Sequence, residues 1–162
     1  MNQIRTRSIP LQRGKTVIGR ILPGTDLICG IENICRDNRI TSGSIVSAIG
    51  TLVYAELVYV VPEEKAKLRV KYVEPTRVEG PLELLASQGM VGLTKEKRLS
   101  IHLHAVMSAP DMKVYGGHLV ENGNPVLATA EVMIQEYLEI SLVREHDSET
   151  GFTLFKLYPQ QP

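Results

Sequence analysis

The feature that most restricts what this chain can fold into is its series of β-type segments, joined by connections of hairpin length. Residues 44–53, 55–61, 68–73, 82–91, 99–107, 113–120, 125–134 and 153–157 are rich in β-branched and apolar residues. Connections such as residues 108–112 and 121–124 are too short for a crossover helix, so neighbouring segments are expected to pair antiparallel. A further strand is predicted over residues 16–22, closed by Pro23-Gly24. One helix follows, capped by Thr25 or Asp26. Leu27, Ile28, Ile31, Ile34 and Cys35 recur on one face before Asp37-Asn38 ends the pattern. The predicted class is α+β, a large and mainly antiparallel sheet or barrel-like core with a single helix.

With 43% hydrophobic and 22% charged residues, 162 residues can bury an ordinary core. No repeat, low-complexity tract or Gly/Ser/Pro-rich linker divides them, so residues 1–162 read as a single domain whose tail, 159–162, is frayed. Eighteen basic residues balance 18 acidic ones, and net charge therefore supplies no long-range attraction for nucleic acid or an anionic membrane. No apolar run approaches the roughly 20 residues of a membrane span, and no signal-peptide pattern follows Met1. The expectation is a cytoplasmic protein without a membrane partner. Cys29 and Cys35 lie six residues apart on the predicted helix, an arrangement that turns them away from each other and leaves two free thiols.

Three of the four histidines fall in two neighbouring segments. His102 and His104 flank Leu103, and because successive side chains of a strand point to opposite faces, the two imidazoles share one face. If the turn at 108–112 sets Met107 opposite Lys113, then His104 faces Gly116 and His102 faces His118, unless Gly116-Gly117 forms a bulge. Three imidazoles within reach of one ion are a ligand set for Zn, with a fourth position left for water or a ligand; other divalent transition metals suit the same donors. The alternative is that the histidines are polar strand residues, each held by a hydrogen bond.

The run Glu79-Gly80-Pro81-Leu82-Glu83-Leu84-Leu85-Ala86-Ser87-Gln88-Gly89, then Ile101-His102-Leu103-His104 and Gly116-Gly117-His118-Leu119, resembles a prokaryotic PPC (plants and prokaryotes conserved) domain. The likeness extends back to Arg20-Ile21-Leu22-Pro23-Gly24-Thr25-Asp26-Leu27 and Ala48-Ile49-Gly50-Thr51-Leu52, and forward to Glu131-Val132, Arg144, Asp147 and Thr150-Gly151, covering residues 15–157 or so. The resemblance implies a homotrimer whose histidines bind a metal, usually zinc. It also carries a DNA-binding label, since plant members follow AT-hook segments. Here the nearest approach to an Arg-Gly-Arg-Pro core is Arg13-Gly14-Lys15-Thr16, which lacks the second Arg and the Pro.

Other residues are candidates for the same site. Glu83 is a fourth metal ligand, a hydrogen-bond partner of an imidazole, or an exposed strand residue; the resemblance favours a place lining the site. Glu131, between Ala130 and Val132, reads as a buried carboxylate with Arg144 as partner. The pair is either structural or catalytic, Arg144 holding an anionic ligand near the metal and Glu131 acting as base. Arg20 suits an edge strand, a subunit contact or an anion; Lys95, Lys97 and Arg98 suit a solvated turn, and His146 an exposed position. Two main functions follow: a metal-binding, self-associating protein with a regulatory or ligand-binding role, or a zinc-dependent lyase or hydrolase similar in its three histidines to acetolactate decarboxylases. Direct DNA binding rests on the label alone.

Overall fold

A computed structural model describes residues 4–159. Its elements are β1 (Gln12–Ile21), α1 (Leu27–Asp37), β2 (Gly43–Val58), β3 (Val60–Pro62), β4 (Val70–Tyr72), β5 (Thr76–Thr94), β6 (Leu99–Ser108), β7 (Val114–Leu119), β8 (Val126–Leu138), β9 (Ile140–His146) and β10 (Thr153–Pro159). The α+β expectation holds, with one helix among the described residues and strands for most of the remainder. The large sheet runs β1-β8-β2-β7-β6-β5-β9-β10, and an added β2–β5 pairing closes the circuit β2-β7-β6-β5 on itself. β3 and β4 form a separate small ribbon.

Helix α1 begins where its chemistry places it. The Asp26 carboxylate accepts the backbone N–H groups of Ile28 and Cys29 at 3.0 Å each, satisfying two donors that the first turn leaves open; such a cap contributes about 1 kcal/mol. The buried side is Leu27, Ile28, Gly30, Ile31 and Cys35. It joins a core of alternate strand residues that includes Ile45, Leu52, Leu82, Val91, Leu103, Met107, Val132 and Ile134. Cys29 and Cys35 are free thiols, Cys35 buried and Cys29 partly so.

Several expectations need correction. Residues 44–53 and 55–61 are not two strands: β2 runs unbroken to Val58, bending through register shifts at 45/47 and 52/54 that let one strand serve three partners. The mainly antiparallel pairing holds, with one parallel contact where Leu93 and Thr94 of β5 meet Val143 and Arg144 of β9. β9 itself was not anticipated: only Glu139, at φ 62°, separates it from β8, and the sequence offers no Gly, Pro or Asn there to mark the turn. Pro159 closes β10 opposite Ile140 and is not frayed; the rest of the expected frayed tail lies outside the described residues. No described helix is long and apolar enough to cross a membrane.

Candidate metal centre

Strand alternation builds the site. On β6, Ile101, Leu103 and Ala105 enter the core while His102 is half-buried and His104 exposed on the other face. The β5–β6 contact that carries them is tight: a Cβ on Gly89 would lie 2.0 Å from the His102 carbonyl oxygen, so a residue without one is required there. β7 supplies the third imidazole. His104 stands directly opposite His118, Ala105 opposite Gly117 and Met107 opposite Tyr115.

This register differs by two residues from the predicted one, which set His102 against His118. The cause is the turn. Ala109 and Lys113 close it through the Ala109 N–H to the Lys113 carbonyl, 2.9 Å, with Met112 in the left-handed region at φ 64°. β7 therefore starts at Val114, and Gly116-Gly117 carries no bulge. A shift of two preserves which face each residue occupies, so the three histidines still converge, but with a different pair in direct opposition.

One ligand nitrogen from each of His102, His104 and His118 lies within 4.8 Å of the others. The Nε2 atoms of His102 and His104 are 3.0 Å apart; two nitrogens on one tetrahedral ion at about 2.0–2.1 Å stand at a similar separation, about 3.3 Å. Nδ1 of His118 is buried without a hydrogen-bond partner among the described residues, a costly state for a polar atom unless something else fills the need. Burial lowers His102 to a pKa of about 4, helped by the positive charge of His104 when protonated and by Arg144. His118 is also pushed down to about 4, by burial first and then by His102, His104 and Arg144. At neutral pH both rings are uncharged, the form that binds a metal. The donor set fits a divalent transition ion.

The surroundings are aromatic and cationic. The Tyr72 ring centroid lies 6.1 Å from that of His118 and 5.3 Å from that of Phe152, edge to face; Phe155 lies 6.4 Å from His102. The β9–β10 hairpin brings Phe155 against Gly92, whose Cβ, were there one, would lie 2.4 Å from the ring. Arg144 donates to the Ile101 carbonyl at 3.4 Å and stands 5.8 Å from the Phe155 ring centre. Burial holds its guanidinium below its ordinary pKa, with Tyr72 opposing.

The carboxylate candidates are elsewhere. Glu83 is exposed on β5, opposite Thr51 and Ser108, and four residues along β6 from His104 amount to roughly 13 Å. Glu131 is exposed as well, beside Arg20 on β1 and Ile49 on β2. Its buried neighbours Ala130 and Val132 face inward, so the same alternation turns Glu131 out, and it forms no ion pair with Arg144 among the described residues. Arg20, on the edge strand β1, donates to the Thr129 hydroxyl at 3.0 Å. Lys95, Lys97 and Arg98 occupy the exposed β5–β6 turn, and His146 is exposed at the end of β9. Sequence reasoning missed Tyr72, Phe152 and Phe155. The signal for Phe155 was its place in the 153–157 segment; nothing local pointed Tyr72 toward the histidines.

Comparison with known proteins places this geometry in a family. A profile of the Plants and Prokaryotes Conserved (PCC) domain, abbreviated PPC above, matches residues 10–138, ending just before the hairpin that carries Arg144 and Phe155. A metal-containing protein of Archaeoglobus fulgidus has the same fold with TM-score 0.78 and 27% identity, over 93% of this chain and 99% of that one. A PPC protein of Pyrococcus horikoshii gives 0.74 and 28% over 93% and 97%. A supposed DNA-binding protein of Bacteroides thetaiotaomicron, at 0.73 and 20% over 90% and 96%, shares the fold alone. Among curated relatives, the bifunctional protein GlmU of a Synechococcus strain is 30% identical over 82% of this chain, which spans only 19% of that protein's length.

Proposed function

This chain belongs to the Plants and Prokaryotes Conserved domain family, and from that premise we propose that it is a zinc-binding, self-associating protein that takes up a small ligand beside its metal. The observation that carries the reading is the convergence of three imidazole nitrogens within 4.8 Å, two of the rings held neutral by burial. Three protein ligands leave a tetrahedral ion one open position, and the exposure of His104 puts it within reach of solvent. When bound, the ion supplies a Lewis-acidic position for an oxygen of the ligand. His102 and His118 offer their nitrogens beside the rings of Phe155 and Tyr72. The metal content of the Archaeoglobus relative supports the binding of a metal, without naming the ion.

Self-association draws support from the outer sheet face. Ile18 of β1 is 78% exposed and lies opposite Met133 of β8, while Ile49 of β2 and Leu127 of β8 are exposed on the same side. These apolar side chains, spread over three strands and interspersed with Arg20 and Glu131, are exposed on a face that a closed assembly of copies, a trimer by the family likeness, covers.

Binding is favoured over turnover. A lyase or hydrolase needs a group to move a proton at the metal, and among the described residues no carboxylate joins the histidine cluster. DNA binding is not carried over from a relative that shares the fold alone. The test is zinc added to chelator-stripped protein. A saturable rise in melting temperature, absent in His102→Ala, supports the metal site, and no response in wild type refutes it. A solution mass of one chain refutes self-association. Turnover of small keto acids or esters by metal-loaded protein would restore the enzyme reading.

A further inference from the structure

A cavity of about 1160 Å³ opens between α1, the β5–β6 turn and β9, with His118 and Arg144 in its lining. Its lining holds five cationic side chains, Arg36, Arg39, Lys97, Arg98 and Arg144, against two carboxylates, Glu32 and Glu121. Elsewhere seven of the other thirteen cations, Arg5, Lys15, Lys71, Arg77, Lys95, Lys113 and Lys156, make ion pairs. None of the cavity's five does so among the described residues. In a chain with no net charge, this gathers unpaired positive charge into one concave space, where low-dielectric walls focus its field. The two carboxylates offset only part of it, two acidic side chains against five cationic ones. Among the described residues Arg144 uses one of its five N–H donors, on the Ile101 carbonyl, which leaves the rest of a half-buried fork for a ligand. Ile28, Ile40, Ile101 and Leu119 give the same cavity an apolar wall.

We propose that this cavity binds a small organic anion with more than one charged group, phosphate or carboxylate, its carbon body on the apolar wall. Guanidinium forks match both groups in two-pronged geometry. The cations stand at three separate places around the cavity, the end of α1, the β5–β6 turn and β9, so a single charge reaches only part of them. The volume suits a ligand of cofactor size. The inference names the ligand of the binding role proposed above and rests on that reading, but it does not need the metal.

The test is calorimetric titration of the full chain, stripped of metal and dialysed at low salt, with 1-naphthyl phosphate, benzene-1,3,5-tricarboxylate and the uncharged 1-naphthol. The expected result is saturable binding of at least one charged probe and none of naphthol. Which charged probe binds tells phosphate from carboxylate. In the Arg39→Glu, Arg98→Glu variant the affinity falls roughly tenfold or more. In the Arg13→Glu, Lys65→Glu control, with the same change of net charge outside the cavity, it stays within about twofold. All four residues are exposed, and a wild-type melting temperature confirms folding; should the Glu variant unfold, Arg39→Gln, Arg98→Gln replaces it. Failure of both charged probes, or equal loss in variant and control, overturns the proposal. Because the titration uses metal-free protein, its failure is separate from failure of the zinc site, which metal loading reports independently.

Discussion

Arg144 and Glu145 are neighbours on β9, and their side chains meet opposite surroundings. Glu145 accepts from the Tyr158 hydroxyl at 2.7 Å and pairs with Lys156 at 3.0 Å and Lys95 at 3.1 Å. These partners lower its carboxyl to about 2, Tyr158 most, then Lys156 and Lys95. Each charge there has its counterpart. Arg144 shares its side with His102 and His118, groups that are neutral or positive, and with two aromatic rings. A closed ion-pair network holds two strands together and asks for nothing more. A set of unprotonated donors beside a cation without an ion pair among the described residues is the arrangement the proposed binding role requires, and this contrast points to a site better than the size of any single pKa shift.

The contrast can be broken most severely at the histidines. Zinc at a hundred times its dissociation constant should stabilise the wild type by about 2.7 kcal/mol and leave His102→Ala, His104→Ala unmoved, as read by thermal unfolding with and without zinc. Acid should sharpen it next. His102 and His118 have folded pKa values below the ordinary histidine value, so the unfolded chain binds more protons between about 6.5 and 4. Their contribution to stability is fully present above pH 6.5 and is lost as pH falls through about 4. Bound zinc should leave in the same window, because protons compete for the same nitrogens; metal retention after gel filtration from pH 7 to pH 4 measures it.

Smaller effects come from β9 itself. Arg144→Gln should raise the titration midpoints of His102 and His118 only slightly, since burial is the larger cause; ring proton shifts followed by NMR report the change. Glu145→Gln should leave zinc binding untouched and lower stability by a small amount that salt removes, since its partners are solvent-screened. Denaturant unfolding at low and high salt separates the two cases. A loss of zinc in Glu145→Gln would erase the distinction between the two sides of β9.

How much of this was legible in the sequence depended on how local the signal was. The helix and its cap were readable because Asp26 and the spacing of Leu27, Ile28 and Ile31 lie within one turn or two. The shared face of His102 and His104 needed only the two-residue period of a strand, which also kept His118 on the right side when the turn at 109–113 moved the register. That period was misapplied at Glu131: apolar neighbours in sequence were taken as neighbours in space, whereas alternation sends them to the opposite face. Arg144 was picked out without its surroundings, because what surrounds it comes from β4, β6 and β10, and no local pattern records the folding of that hairpin over Gly92. The unpaired cations of the cavity are scattered over α1, a turn and β9, so only the closed fold reveals them as one group.

The measurement that bears most directly on the central claim is the metal content of purified protein by elemental analysis, for wild type and for His102→Ala, His104→Ala. The account expects zinc equimolar with the chain in the wild type and none in the variant, with both forms folded. Folded wild type that stays metal-free after incubation with zinc, or a variant that keeps its zinc, would contradict it and return the three histidines to ordinary strand positions.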